Sequence, residues 1–196
     1  RGESPGEQGM YRWRVNHQYA DLWAVHDLNS DTISRLTKAL EWYDQALTRG
    51  ADEAAVKNRK SIVFSILKDF PQARMLAETA VSERKSEPAY LTNLAVIHVL
   101  SGDTDKGAAL FLQGMSRFST NAYFLDQCAG LYYIGKQDAD TALDMCTQAI
   151  QHNSNRDPII LYHKMQILQR SGMGREADEV ARQVRQIDPW FELGEE

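Results

Sequence analysis

The sequence predicts an all-α protein built as a solenoid of antiparallel helix pairs, and three observations carry that prediction. Apolar residues recur at three- and four-residue spacing through almost every segment after Gly9, the period of one helical face. No Val/Ile/Thr-rich run alternates between turn residues in the way a strand would. A column of small residues, Ala39, Ala73, Gly107, Ala142 and Ala177, returns at intervals of 34, 34, 35 and 35 residues, the range in which stacked helix pairs repeat.

Taken in order, Arg1–Gly9 has no apolar periodicity and reads as a tail. Met10–Leu28 carries Tyr11, Trp13, Tyr19 and Trp23, and its apolar residues run most of the way round a helix. Such a helix needs burial on more than one side. Three roles fit it: a cap on the solenoid, an occupant of the chain's own groove, or a second interface through which two copies dimerise. Beyond it the small-residue column gains two companions in register, Tyr43, Ala77, Phe111, Cys146 and Ala181, then Ala46, Ala80, Gly114, Ala149 and Val184. These three columns lie four and three residues apart, on one face of one recurring helix. The preceding helix of each unit shows a bulky column, Phe64, His98, Tyr133 and Leu168, and four residues later comes a break at Lys68, Gly102, Gln137 and Gly172. Asp69, Asp103 and Asp138 follow it as helix-starting residues.

Each unit is therefore helix, turn, helix. Two helices approach to about 8 Å only where Ala or Gly leaves room for the facing ridge, and because one pair cannot cover its own apolar face, pairs stack. The units fall near Ala20–Glu53, Ala54–Glu87, Pro88–Ala122, Tyr123–Asp157 and Pro158–Glu192, within a single domain spanning 10–192, with 193–196 as a second tail. Pro88, Pro158 and Pro71 suit first turns, where a missing amide donor costs nothing. Asp178, Glu179, Arg182, Gln183, Arg185 and Gln186 give the last helix a solvated outer side, as a terminal repeat requires.

Composition removes several function classes. A hydrophobic fraction of 43% with 25% charged residues is that of a globular protein. The net charge of −5 and the absence of a Lys/Arg cluster argue against nucleic acid. No apolar run approaches the roughly 18 residues of a membrane span, and no leader-like segment opens the chain. The expectation is a soluble protein of cytoplasm or periplasm without direct membrane insertion. Cys128 and Cys146, the two cysteines, exclude a disulfide framework and a four-cysteine zinc site but not a lone bridge.

The columns resemble the tetratricopeptide repeat family over about Ala20–Phe191. The last unit shows it through Leu161, Gly172, Ala177, Ala181 and Pro189, and the fourth through Ala129, Gly130, Tyr133, Ala142 and Ala149. The first unit departs from the pattern at His26 and Asp27. The resemblance implies a right-handed α-α superhelix of about five pairs that binds another protein or peptide along a concave groove lined by the first helices. Carried residue by residue, it assigns to that groove Asn58, Arg59, Ile62 and Ile66; Thr92, Asn93, Val96 and Leu100; Phe124, Gln127, Cys128 and Leu131; and Tyr162, His163, Gln166 and Arg170. An amphipathic helix with apolar anchors fits such a groove. The competing reading packs the apolar members between repeats or against the N-terminal helix. One branch of the family grips chaperone C-terminal carboxylates with Lys, Arg and Asn, but here only Asn93 has the right type and place.

No catalytic set accompanies these columns. No serine stands in a glycine-flanked elbow, His17, His26, His152 and His163 lack metal spacing, and there is no HExxH or paired CxxC. His98 and the two cysteines sit in packing columns. Asp138 and Asp140 read as helix starters, and the Ser101-Gly102-Asp103 and Ser171-Gly172 turns lack the glycine spacing of a phosphate loop. The expectation is a non-enzymatic adaptor with no cofactor or metal. The alternative, prompted by the opening Arg1, is the recruiting or regulatory domain of a larger enzyme or assembly machine.

Overall fold

The computed structural model describes residues 29–153 and 157–191. Among them nine helices follow one another with no strand: α1 (Ser30–Thr48), α2 (Glu53–Ile66), α3 (Phe70–Glu83), α4 (Pro88–Leu100), α5 (Thr104–Phe118), α6 (Ala122–Gly130), α7 (Ala139–His152), α8 (Pro158–Arg170) and α9 (Gly174–Ile187). A π-helical turn, Leu131–Gly135, continues α6. The chain forms two compact units, residues 1–110 and 111–196.

In the first unit α2 packs on α3 and α3 on α4. Ala73 and Ala77 are fully enclosed, forming a core with Leu94 and Ile97 against which Phe64, Phe70, Val81 and Leu110 pack. Ala80 does the same with Ala54 and Tyr90. The small side chains bring α3 close to its neighbours, and the bulky ones fill what is left. Gly107 in α5 shows how close: a Cβ there would lie 2.5 Å from Val99 Cγ2 and 2.8 Å from the Ala95 carbonyl oxygen. Gly107→Ala is expected to destabilise by about 1–3 kcal/mol through overpacking, against the roughly 1 kcal/mol that alanine normally gains over glycine in a helix. Thermal unfolding followed by far-UV circular dichroism reads the sign.

In the second unit α6 packs on α7, α7 on α8 and α8 on α9. Ala142, Cys146 and Ala149 are enclosed along α7, and Ala177 and Val184 along α9. Phe124 of α6 meets Phe111 and Phe118, with ring centroids 5.6 and 5.5 Å away.

The turns inside the pairs share one device. Lys68, Gly102, Gln137 and Gly172 all adopt left-handed backbone, with φ of 62°, 88°, 56° and 76°. The amide of the next residue then returns to the preceding helix, Asp69 N–H to the Phe64 carbonyl at 2.9 Å and Asp103 N–H to that of His98 at 2.8 Å, closing orphan carbonyls. Asp69 and Asp138 cap the following helices by accepting from the amides of Gln72 and Thr141. The first described helix breaks this register. By the 34-residue spacing α1 would open at residue 36, but Asn29 caps it and it opens at Ser30, six residues early.

Candidate functional site

The residues assigned to the groove lie on α2, α4, α6 with the π-helical turn that continues it, and α8, and burial sorts them. In the first unit Arg59 is exposed, Ile62 and Ile66 are half-buried one helical turn apart, and Leu100 is 43% exposed. Asn58, Thr92, Asn93 and Val96 are buried. Asn93 Nδ2 donates to Asn58 Oδ1 at 2.9 Å, so the two carboxamides tie α2 to α4 and spend themselves on each other. The Asn93 Oδ1 atom is left buried without a partner. In the second unit Arg170 is exposed and Tyr162 and Gln166 are half-buried. Phe124, Gln127, Cys128, Leu131 and His163 are buried. Tyr11, Trp13, Tyr19 and Trp23 lie outside the described residues.

The functional-looking residue that sequence reasoning missed is Asp126. It is 1% exposed, as is His163, and His163 Nδ1 lies 2.8 and 3.0 Å from its two carboxylate oxygens. A carboxylate only accepts, so Nδ1–H is the donor and the imidazole is held from α8 onto α6. Gln127 Nε2 adds a contact of 3.3 Å to the same carboxylate. The signal was a lone acid inside the apolar run Ala122–Gly130, which required a buried partner. That partner stands one repeat and two residues further on.

An Asp–His pair also orients catalytic imidazoles, but the thiols here point the other way. Burial pushes the Cys128 thiol far up, with the Asp126 charge adding to it, and the same two causes raise Cys146. An activated cysteine needs the opposite shift. No cluster of three or more His, Cys, Asp or Glu side chains that could hold a metal ion occurs among the described residues, nor does any helix there have the length and apolarity to cross a membrane.

His98 occupies the bulky column of α4, with its Nδ1 buried and lacking a hydrogen-bond partner, 3.7 Å from Asp103. Burial pushes its imidazole below the ordinary value, opposed by the Asp103 charge and assisted by Arg74 and Lys106. A histidine depressed in the fold takes up its proton more readily when unfolded. The stability it contributes is therefore present above the ordinary value of about 6.5 and lost as pH falls below it. His98→Leu, the residue type of Leu168 in the same column, is expected to remove that fall from the pH profile of the unfolding midpoint.

The structure is similar to solved helical repeat proteins. MamA from Desulfovibrio magneticus RS-1, from residue 41 to its end, superposes with a TM-score of 0.56 at 12% identity, over 79% of this chain and 86% of that one. YrrB, a TPR protein with an unusual peptide-binding site, gives 0.54 at 15% identity over 83% of each chain. MamA of MSR-1 gives 0.51 at 15% identity, covering 93% and 97%. No protein-family model matches the sequence, and no curated protein matches it. At such identities the likeness establishes the fold, a tetratricopeptide-like arrangement of helix pairs.

Proposed function

We propose that this fold serves as a protein-binding scaffold that takes a segment of a partner protein on the first-helix surface, and that it carries no catalysis of its own. The contact residues are the accessible members of the groove set in the first unit, Arg59, Ile62, Ile66 and Leu100; in the second unit, taken by itself, the accessible members are Tyr162 and Arg170. Asn58, Asn93 and Val96 are buried within the first unit, and Phe124, Gln127 and Leu131 within the second.

One observation carries the reading. On α2 of the first unit the half-buried Ile62 and Ile66 follow the exposed cation of Arg59 at three- and four-residue helical spacing, and Leu100 is exposed on α4, apolar anchors on the same helix face as a group that fixes register. The peptide-binding site of YrrB supports it by analogy of fold. The acidic balance of the chain, net −5, favours protein over nucleic acid as the partner.

The test compares affinity capture from the native lysate by the unmodified chain and by Arg59→Glu/Leu100→Ser. Both positions are surface sites, so helicity and melting temperature stay unchanged. A protein captured by the first and lost from the second supports the surface. Equal capture by both rules it out.

A further inference from the structure

Along α1 and its cap residue, Asp31, Arg35, Lys38, Trp42, Gln45 and Arg49 follow one another at spacings of four, three, four, three and four residues, and all six are exposed. That spacing puts them on one side of the helix. The inward side is a different set, Leu36, Leu40, Tyr43 and Leu47, buried or half-buried. Trp42 is 60% exposed, and the Lys38 ammonium stands over its ring, 5.7 Å from the centroid. Beside the indole lies a cleft of about 450 Å³ lined by Trp42, Gln45, Ala46, Arg49 and Ala51. The stripe holds three cations and one anion, in a chain whose net charge is −5.

Its cations are largely unspent. In the same unit Lys57 pairs with Glu53 and Glu83 at 2.7 and 2.6 Å, Lys60 with Asp44 at 2.7 Å, and Arg84 with Asp52. Arg35 pairs inside the stripe, with Asp31 at 2.6 Å, an exposed contact of the kind that holds its partners weakly. Among the described residues neither Lys38 nor Arg49 has a carboxylate partner. The helix end beside Arg49 does not work against an anion either. The amides of Arg49 and Ala51 return to the Ala46 carbonyl and that of Gly50 to Leu47, closing acceptors that would otherwise carry the negative end of the helix.

We propose that this stripe is a docking surface separate from the first-helix surface, and that its ligand is an acidic segment of a partner protein carrying one bulky apolar side chain. The apolar side chain enters the cleft against Trp42, and carboxylates on either side of it meet Lys38 and Arg49. Spacing supports this. Lys38 and Arg49 lie about 16 Å apart along the helix at 1.5 Å per residue, which about five residues of extended chain span at roughly 3.3 Å each. A single anchor then sits between two acids. Charge supports it as well, because a cationic stripe on an acidic chain selects a partner of opposite sign by steering and by rejecting like charge. Single-stranded nucleic acid also uses aromatic and cationic side chains, but along a positive groove that tracks its backbone. One indole, with Lys38 already over its ring and Asp31 in the same stripe, favours a protein.

The test is fluorescence anisotropy of a short fluorescein-labelled peptide, Asp and Glu on both sides of one Phe, titrated with the full chain. Saturable binding that weakens as salt is raised is the expected result, with a loss of about tenfold or more for Trp42→Ala and for Lys38→Glu/Arg49→Glu, the size of a central anchor contact. All three positions are exposed, and far-UV circular dichroism checks that the variants keep their helicity. Peptides with Asn and Gln for the acids, or Ala for Phe, should bind more weakly. Arg59→Glu/Leu100→Ser should bind the peptide as the unmodified chain does, so this result stands or falls apart from the first-helix reading. Absence of saturation, or binding that ignores both sets of substitutions, would overturn the proposal. Tighter binding of single-stranded RNA or of phosphatidylserine vesicles, lost in the same variants, would overturn it in favour of a phosphate-bearing ligand. A concentration-dependent dimer in light scattering, abolished by Trp42→Ala, would overturn it in favour of a second copy of this chain.

Discussion

His163→Ala is expected to lower the unfolding free energy of the second unit by about 3–5 kcal/mol, because it leaves the Asp126 carboxylate as an uncompensated buried charge. Both residues are 1% exposed, so water cannot replace the lost imidazole without opening α8 from α6. Small domains hold about 5–15 kcal/mol in all, so the second unit should melt in a separate, earlier transition. The pair itself is a different matter. Taking a carboxylate and its imidazole partner out of water costs nearly as much as their hydrogen bonding returns, and Asp126→Leu with His163→Leu is expected to recover most of the loss. A double-variant cycle followed by urea denaturation measures the coupling. Equal losses in the single and double variants would contradict the buried-pair account.

Phe124→Ala is expected to cost a similar amount, about 3–5 kcal/mol. The ring is enclosed and tilted against Phe111 and Phe118, so truncation empties a volume that three aromatic side chains define. Phe124→Leu keeps most of that volume and should lose less than about 1.5 kcal/mol. The contrast separates two roles for this position. A groove-lining phenylalanine could be truncated with a stability change within about 0.5 kcal/mol, as at other surface sites, and would alter partner binding alone.

The helix pairs were legible because their signal is one-dimensional. Ala73, Ala142 and Ala177 recur in the chain at multiples of the interval of the fold, as do Ala80 and Ala149, and so do Gly102 and Gly172 at the turns. Any residue that must be small, or must adopt left-handed backbone, betrays its place by type. Lys68 and Gln137 hold the same backbone without glycine, and there the period alone marks the turn.

The candidate surface was less legible, since periodicity identifies a face of a helix but not what covers it. Asn58 and Asn93 occupy groove positions by register, yet the contact of their carboxamides across 35 positions is a tertiary event. Asp126 and His163 pair across 37, off the repeat interval, which is why the columns did not bring them together. The early opening of α1 at Ser30 follows from the cap supplied by Asn29, a local signal that overrode the 34-residue register.

The central claim is that partner contact falls on the first helices and spares the second. Amide hydrogen exchange, measured by mass spectrometry on the chain alone and with the captured partner added, tests it most directly. Slowed exchange confined to α2, α4 and α8 is the expected result. Slowing on α3 and α7, with α2 and α4 unchanged, would contradict it.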